Sequence, residues 1–389
     1  MTINISSVDE LINKDVMDGF PGAVLLVMQG GRIIKHSSYG YKNRYNSKGG
    51  PLANPEPMST DTVFDLASNT KIYATLFGIM KLISDQVLDI EKPVAYYIPE
   101  LIRNKTLPVK HLLTHSSGFG PEIWFFDKLS YEKSGLFSQD RRKTIELIYN
   151  KVPFEYKFGQ KNIYSDTGFM LLGLLIEKIT GQMQDEYLHE NIYKPMGLTK
   201  TCFNPLRHGI EINDIASTSL GNTCNNSMDY PNIRKDVIRG EVQDEKAFYS
   251  MNGVAGHAGL FSTAAEVGKL AQLIISKGTF NNKNLIQENV ITNFFKPSDT
   301  DPAFGYGWRR NETDKWEHIF GNYASSKTIG HTGFTGTLTV VDPKNNLAIV
   351  LLTNKIHTKC IHRQSYEGNS YNTATYSKIV DLVYKSVSQ

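Results

Sequence analysis

Asp65-Leu66-Ala67-Ser68-Asn69-Thr70-Lys71, continued by IYATLFGIMKLI over 72–83, is the stretch on which the fold turns. Three polar residues and a lysine open a segment that is apolar on nearly every side. A helix apolar all round belongs in a core, so Lys71 is expected on the first turn of a buried helix. A lysine there must lose its charge, find a partner or do chemistry. Ser68 precedes it by three residues, so hydroxyl and amine share one face. A serine beside a desolvated amine is an activated-nucleophile arrangement. The bare Ser-x-x-Lys pattern arises by chance about once or twice in such a chain. Ser130-Tyr131-Glu132-Lys133 matches it too, but no apolar helix follows, and a solvated loop suits that copy.

Working outward, Ser7 and Glu10 form a capping box for a helix to about Met17. Ala23 to Met28, a Gly30-Gly31 turn and Arg32 to Lys35 predict a hairpin. Residues 42–60 read as a loop, and Thr62-Val63-Phe64 as a short strand leading to Ser68. From 88 to 290 the pattern is mostly helical. It includes Pro108–Leu113, Thr144–Tyr149, an amphipathic helix from Thr167 to Thr180 stopped by Gly181, and Ala264–Ser276. Long loops at 119–140, carrying Trp124, Phe125, Phe126, Tyr131 and Phe137, and at 216–250 interrupt it. Strand character returns at Tyr306–Trp308, Lys327–Ile329, Leu338–Val341 and Leu347–Leu352, before a closing helix from Ala374 to Tyr384. The expectation is an α+β fold: an antiparallel sheet built from both termini and flanked by helices, with a mostly helical insertion. The expected division is 1–87 with 291–389 as the sheet domain and 88–290 as the helical one, the active site lying in the cleft between them.

Composition bounds the function. Forty per cent hydrophobic and 21% charged residues suit a globular chain, and a net charge of +3 is too mild to argue for nucleic acid. Three cysteines, Cys202, Cys224 and Cys360, predict no disulfide framework and suit a reducing compartment. The start, MTINISSVDELINKD, lacks the basic and apolar stretches of a signal peptide, and no run is long enough to span a bilayer. The chain therefore reads as cytoplasmic, with no integral membrane segment. His357-Thr358-Lys359-Cys360-Ile361-His362 holds metal-type residues in no standard zinc spacing and reads as an exposed turn. No phosphate loop or dinucleotide fingerprint is present, so neither metal nor cofactor is expected.

Two further stretches bear on Ser68: Tyr164-Ser165-Asp166-Thr167-Gly168-Phe169, and Gly330-His331-Thr332-Gly333-Phe334-Thr335-Gly336 between two apolar strands. Glycines there let the backbone approach something closely. Ser-x-x-Lys, then Tyr-Ser-Asp, then His-Thr-Gly resembles the serine β-lactamase and penicillin-binding-protein superfamily. The order and spacing look most like its class C branch, with D-Ala-D-Ala carboxypeptidases, D-aminopeptidases and esterases. Leu112–Gly118 and Gly256–Thr263 are similar to stretches common there, and so is Arg239–Asp244, though relatives often have His where Gln243 stands. His115 and His257 read as loop-fixing residues.

The resemblance implies a serine hydrolase taking a small-molecule or peptide substrate. Ser68 would attack a carbonyl. Lys71 would accept its proton or stabilise the alkoxide, and Tyr164 would share that proton and pass it to the leaving group. Backbone N–H groups of Ser68 and Phe334 would form the oxyanion hole. Asp166, His331, Thr332 and Gly333 would meet the substrate. Asp166 stands where many relatives carry Asn; it either pairs with Lys71 and holds it charged or caps the helix from Thr167. His331 stands where β-lactamases carry Lys and binds a carboxylate less firmly. Both departures argue against an efficient β-lactamase. The open readings are a D-Ala-D-Ala carboxypeptidase or D-amino-acid peptidase, a carboxylesterase, and a weakly catalytic β-lactam-binding module.

Overall fold

The computed structural model describes residues 6–224 and 228–387. Helix α1 (Ser6–Met17) leads to β1 (Gly22–Gln29), β2 (Arg32–Tyr45) and β3 (Pro51–Pro57). β4 (Phe64–Asp65) precedes the Ser68 turn and α2 (Phe77–Ser84). The middle of the chain supplies α3 (Asp166–Thr180), β5 (Cys202–Phe203), α4 (Glu245–Met251), β6 (Leu260–Ser262) and α5 (Ala264–Ile275). Then come β7 (Arg309–Arg310), β8 (Ile329–Thr332), β9 (Leu338–Asp342), β10 (Leu347–Thr353), the short pair β11 (Cys360–His362) and β12 (Ser365–Tyr366), and α6 (Tyr376–Val387).

Among the described residues, seven strands form the main sheet, in the order β7-β8-β9-β10-β1-β2-β3. β1 pairs antiparallel with β10, Leu26 opposite Val350, so an early and a late segment meet at the sheet centre. Its side chains alternate between two cores. Val24, Leu26 and Met28 face the large core beneath the active site. Ala23, Leu25 and Val27 face a smaller one closed by α1, α6 and Phe320. Burial on both faces explains why β1 reads as an unbroken apolar run.

Several expectations need correction. Residues 42–60 are not a loop: β2 continues to Tyr45, and β3 pairs with it, Tyr41 opposite Pro57 and Tyr45 opposite Pro51. An edge strand with register shifts tolerates prolines that a central one would not. The Tyr306–Trp308 strand begins only at Arg309, because Gly307 turns with φ +81° and Trp308 is buried in the large core. Ser130 lies on a short helix (Lys128–Tyr131) capped by Asp127, not in a loop. Within 216–250, Ser217–Ser219 pairs with Ile238–Arg239 and α4 follows; residues 225–227 of that segment lie outside the described residues.

The cysteine reading also fails. Cys224 and Cys360, 136 positions apart, form a disulfide with Cα atoms 5.0 Å apart, and Cys202 is free. Spacing does not reveal that two distant loops converge. Nor is 357–362 simply an exposed turn. His357 is buried, and its Nε2 accepts hydrogen bonds from the backbone N–H groups of Arg44 (3.2 Å) and Tyr45 (3.1 Å).

Candidate active site

The Ser68 turn is held by hydrogen bonds from the Gln243 segment and from Thr335, Thr337 and Thr339. Buried Asp65 accepts the backbone N–H groups of Ala67 (2.8 Å) and Gln243 (2.7 Å). Ala67 sits at φ +47°, a left-handed conformation unusual for a residue with a side chain. After a 3₁₀ turn (Ala67–Asn69) the chain winds as a π-helix over Lys71–Leu76 before α2 begins, so the expected helix starts irregularly. π-turns collect at functional sites. Asn69 donates to Thr337 Oγ1 (3.0 Å) and accepts from Thr339 Oγ1 (2.8 Å). Thr335 and Thr337 donate to the carbonyls of Asp65 (2.8 Å) and Leu66 (2.9 Å). The turn after His331-Thr332-Gly333 is therefore clamped against the Ser68 turn. A Cβ on Gly333 would lie 2.5 Å from the Leu66 carbonyl, so glycine is required there. Phe334 stands at the mouth, 40% exposed.

Lys71 has no exposed surface. Its Nζ lies 2.9 Å from Ser68 Oγ, 3.1 Å from the His257 carbonyl and 2.8 Å from Asp166 Oδ1. The ammonium thus has two hydrogen-bond acceptors and a carboxylate in ion-pair contact. Burial alone would lower the Lys71 pKa, but Asp166 and Tyr164 outweigh it and raise it, so the group is cationic at rest. The Tyr164 ring centroid lies 4.8 Å from the same nitrogen. Asp166 pairs with Lys71 rather than capping the helix; Ser165 caps it, accepting from the Gly168 N–H (3.3 Å). Burial would push the Asp166 carboxyl up, but Lys71 and Lys246 together hold it below the usual range.

His115 packs on Tyr164 with ring centroids 4.5 Å apart, and its Nδ1 accepts the Ser165 N–H (3.1 Å). Burial and the nearby Lys71 charge bring it down to about 3, so it stays neutral and fixes the Tyr164 loop. His331 is also buried; its Nδ1 donates to the Thr332 carbonyl (2.8 Å). Burial, with Arg309 and Lys71 nearby, pushes its pKa well down and leaves it neutral.

Sequence reasoning missed two cations. Arg309, on β7 beside Gly330, donates to Thr332 Oγ1 and stands over the Tyr164 ring. Its Nε is buried without a hydrogen bond, and among the described residues Arg309 takes part in no ion pair. Lys246, on α4, lies behind Asp166. The quoted family-like stretch stopped two residues short of it, at Asp244, and nothing near Arg309 carried a signal. Ser68 opens into two lobes. One, about 340 Å³, is walled by Trp124, Phe126, Met228, Arg363 and Tyr366. The other, about 310 Å³, is closed by Arg309, Thr332 and Tyr376. The 119–140 loop thus both lines the cleft, through Trp124, and tethers itself by buried Phe125 and Phe126.

A family model described as Beta-lactamase matches residues 8–364. The chain belongs to the beta-lactamase family. It is a serine hydrolase by membership, with the expected α+β fold. It is 43% identical over 400 residues to the N-acetylmuramyl-L-alanine amidase of Bacillus subtilis (strain 168), covering 99% of this chain and 90% of that protein. It is 40% identical over 398 residues to a provisionally named D-alanyl-D-alanine carboxypeptidase of Escherichia coli (strain K12), covering 99% and 91%. Among solved structures, EstCE1, a hydrolase with promiscuous acyltransferase activity, shares the fold with TM-score 0.72 at 19% identity, covering 98% of each chain. The octameric penicillin-binding protein homologue from Pyrococcus abyssi does so with TM-score 0.70 at 19% identity, covering 98% of this chain and 77% of that one. No helix among the described residues is long and apolar enough to cross a membrane.

Proposed function

We propose that this chain is an amidase that cuts the lactyl–L-alanine amide of muramoyl peptides through an acyl-Ser68 intermediate. The two-lobed cleft carries the reading. The first lobe offers Trp124 and Tyr366 as walls for a sugar ring, and the second offers Arg309 for a peptide carboxylate. The relative named as an amidase, matching over nearly the whole chain, points the same way. In this reading the Lys71–Tyr164 pair first gives up one proton to solvent; Ser68 Oγ then attacks the carbonyl, and its proton enters that pair. Tyr164 hands a proton to the departing amine, and water then cleaves the ester. The N–H groups of Ser68 and Phe334 hold the oxyanion. Thr332 and Gly333 line the second lobe beside Arg309 and Asp166 reaches the first, while buried His331 acts from behind.

The test is product analysis by mass spectrometry with a muramoyl-dipeptide and, separately, a peptide ending in D-Ala-D-Ala. Release of a peptide with a free L-alanine amine is expected. Ser68→Ala should lose turnover by on the order of 10³-fold or more while folding normally; survival of activity in that variant would sink the acyl-serine reading. Cleavage of the D-Ala-D-Ala peptide alone would support the second reading, a carboxypeptidase, which unpaired Arg309 also favours.

We also place the protein in an oxidising compartment. The cytoplasmic expectation rested on the cysteine count and on the lack of a signal-like start, and the Cys224–Cys360 disulfide removes the first of these supports. Recovery of the protein mainly in the cytoplasm with both thiols free would refute this.

A further inference from the structure

Asp166 is shared. Its Oδ1 meets Lys71 at 2.8 Å and its Oδ2 meets Lys246 at 3.2 Å. Lys246 is 7% exposed in its side chain and also holds Glu122 (2.6 Å) and Asp244 (3.1 Å). Its ammonium is thus enclosed by three carboxylates, with a hydrogen bond to Glu122, and faces them rather than a substrate. Asp244 in turn holds His257 Nε2 (2.9 Å), and the carbonyl of His257 accepts from Lys71. The chain of contacts closes on itself: Lys71, Asp166, Lys246, Asp244, His257 and back to Lys71.

An unshared buried carboxylate beside Lys71 would lock that lysine as an ammonium, which cannot take a proton from Ser68. A second ammonium on the same carboxylate weakens that hold, by dividing its charge and by direct repulsion. We propose that Lys246 is a positioning residue that keeps the proton on Lys71 exchangeable, by drawing Asp166 partly away from it. The idea rests on the acyl-Ser68 reading. Other groups bear on the same proton. Tyr164 and His115 face Lys71 from the loops before α3, and Arg309 and His331 from the sheet edge. Asp244, Glu122 and His257 act on it through Lys246 and Asp166. Of these, Asp166 is the anion that touches both lysines, which makes Lys246 a specific lever. The downward hold on Asp166 by both cations agrees with this arrangement.

The test is the pH profile of kcat/KM for a p-nitrophenyl ester, with Ser68→Ala as control. In Lys246→Met, Asp166 belongs to Lys71 alone, and the acid limb should move up by about one pH unit or more, with rates approaching wild type on the alkaline side. Lys246→Arg should keep the wild-type limb. Lys246→Met with Asp166→Asn should bring the limb back down, since no carboxylate then needs sharing. Lys246→Gln, which keeps hydrogen-bonding capacity without charge, gives the same reading if the Met variant does not fold. A loss equal at every pH, an unmoved limb, or failure of both neutral variants to fold would make Lys246 a scaffold group and overturn the proposal. Activity surviving in Ser68→Ala would instead strike the acyl-serine reading, so the two failures are distinguishable.

Discussion

At the scale of single residues, the site is a set of charges placed where water is scarce, and its neutral histidines are as telling as its ions. His115, His331 and His357 are all buried without a proton to spare. Burial lowers all three, His115 and His357 to about 3, with Lys71, Arg309 and Arg239 adding to it. A histidine whose folded pKa lies below its unfolded value binds fewer protons folded than unfolded, so stability falls as pH drops below about 6.5. Three such groups give a slope of roughly 4 kcal/mol per pH unit inside that window. Asp65 opposes this: burial brings it up to about 6. Its contribution grows as pH falls from there towards 4, offsetting about 1.4 kcal/mol per unit. The net expectation is a clear loss of unfolding free energy between pH 6.5 and 5, above the range where paired carboxylates titrate. Urea unfolding at several pH values checks this, and a flat profile over that span would contradict it. That Ser68, Lys71 and Tyr164 meet was legible in the sequence because three short motifs in order are rarely accidental. Lys246 and Arg309 were not, because a lysine on a short helix and an arginine in a two-residue strand look like any surface cation until the fold buries them.

At the scale of elements, α3 shows how closely the site is built. The Gly256-His257 segment crosses it so tightly that a Cβ on Gly256 would lie 2.0 Å from the Phe169 carbonyl and 2.9 Å from the Gly173 N–H. This crossing sets the His257 carbonyl on Lys71, and Thr75 Oγ1 bonds the Gly256 carbonyl at 2.6 Å. Gly256→Ala must displace backbone. It should cost about 1–3 kcal/mol or more, seen as a lower melting temperature, together with reduced turnover. An unchanged melting temperature would show that the crossing yields easily. The long regular elements were readable: α3, α5, β1 and β10 lie where apolar spacing put them, and α1 ends where its capping signal and Met17 suggested. β3 was not, since Pro51, Pro55 and Pro57 hide a strand that exists because β2 and the Arg239–Glu56 pair (2.6 Å) hold it. The π-helical start of α2 likewise has no sequence period to betray it.

At the scale of the whole molecule, we propose that the two lobes mark the seam between the expected units, 1–87 with 291–389 and 88–290. One apolar core, including Tyr73, Leu172 and Val350, runs beneath that seam. The units should therefore unfold together. Across the top, the Cys224–Cys360 bond ties the 216–250 segment to the β11–β12 pair, and both walls line the first lobe. A cross-link over 136 positions restricts the unfolded chain, and Cys360→Ser should lower stability by about 2–4 kcal/mol. It should also raise KM for a bulky muramoyl substrate more than for a small ester. Equal effects on both substrates would mean that the bond supports the fold without shaping the cleft.

The pairing of β1 with β10 has a consequence for birth as well as for structure. As the chain leaves the ribosome, the Val24–Met28 strand emerges first, yet the partner that fills the sheet centre beside it arrives only with Leu347–Thr353. For most of synthesis an intensely apolar strand has one neighbour, the β2 hairpin, and an open edge. The protein is therefore built to finish folding after translation, and until then it offers chaperones, or a translocation channel, an extended chain that has not yet closed.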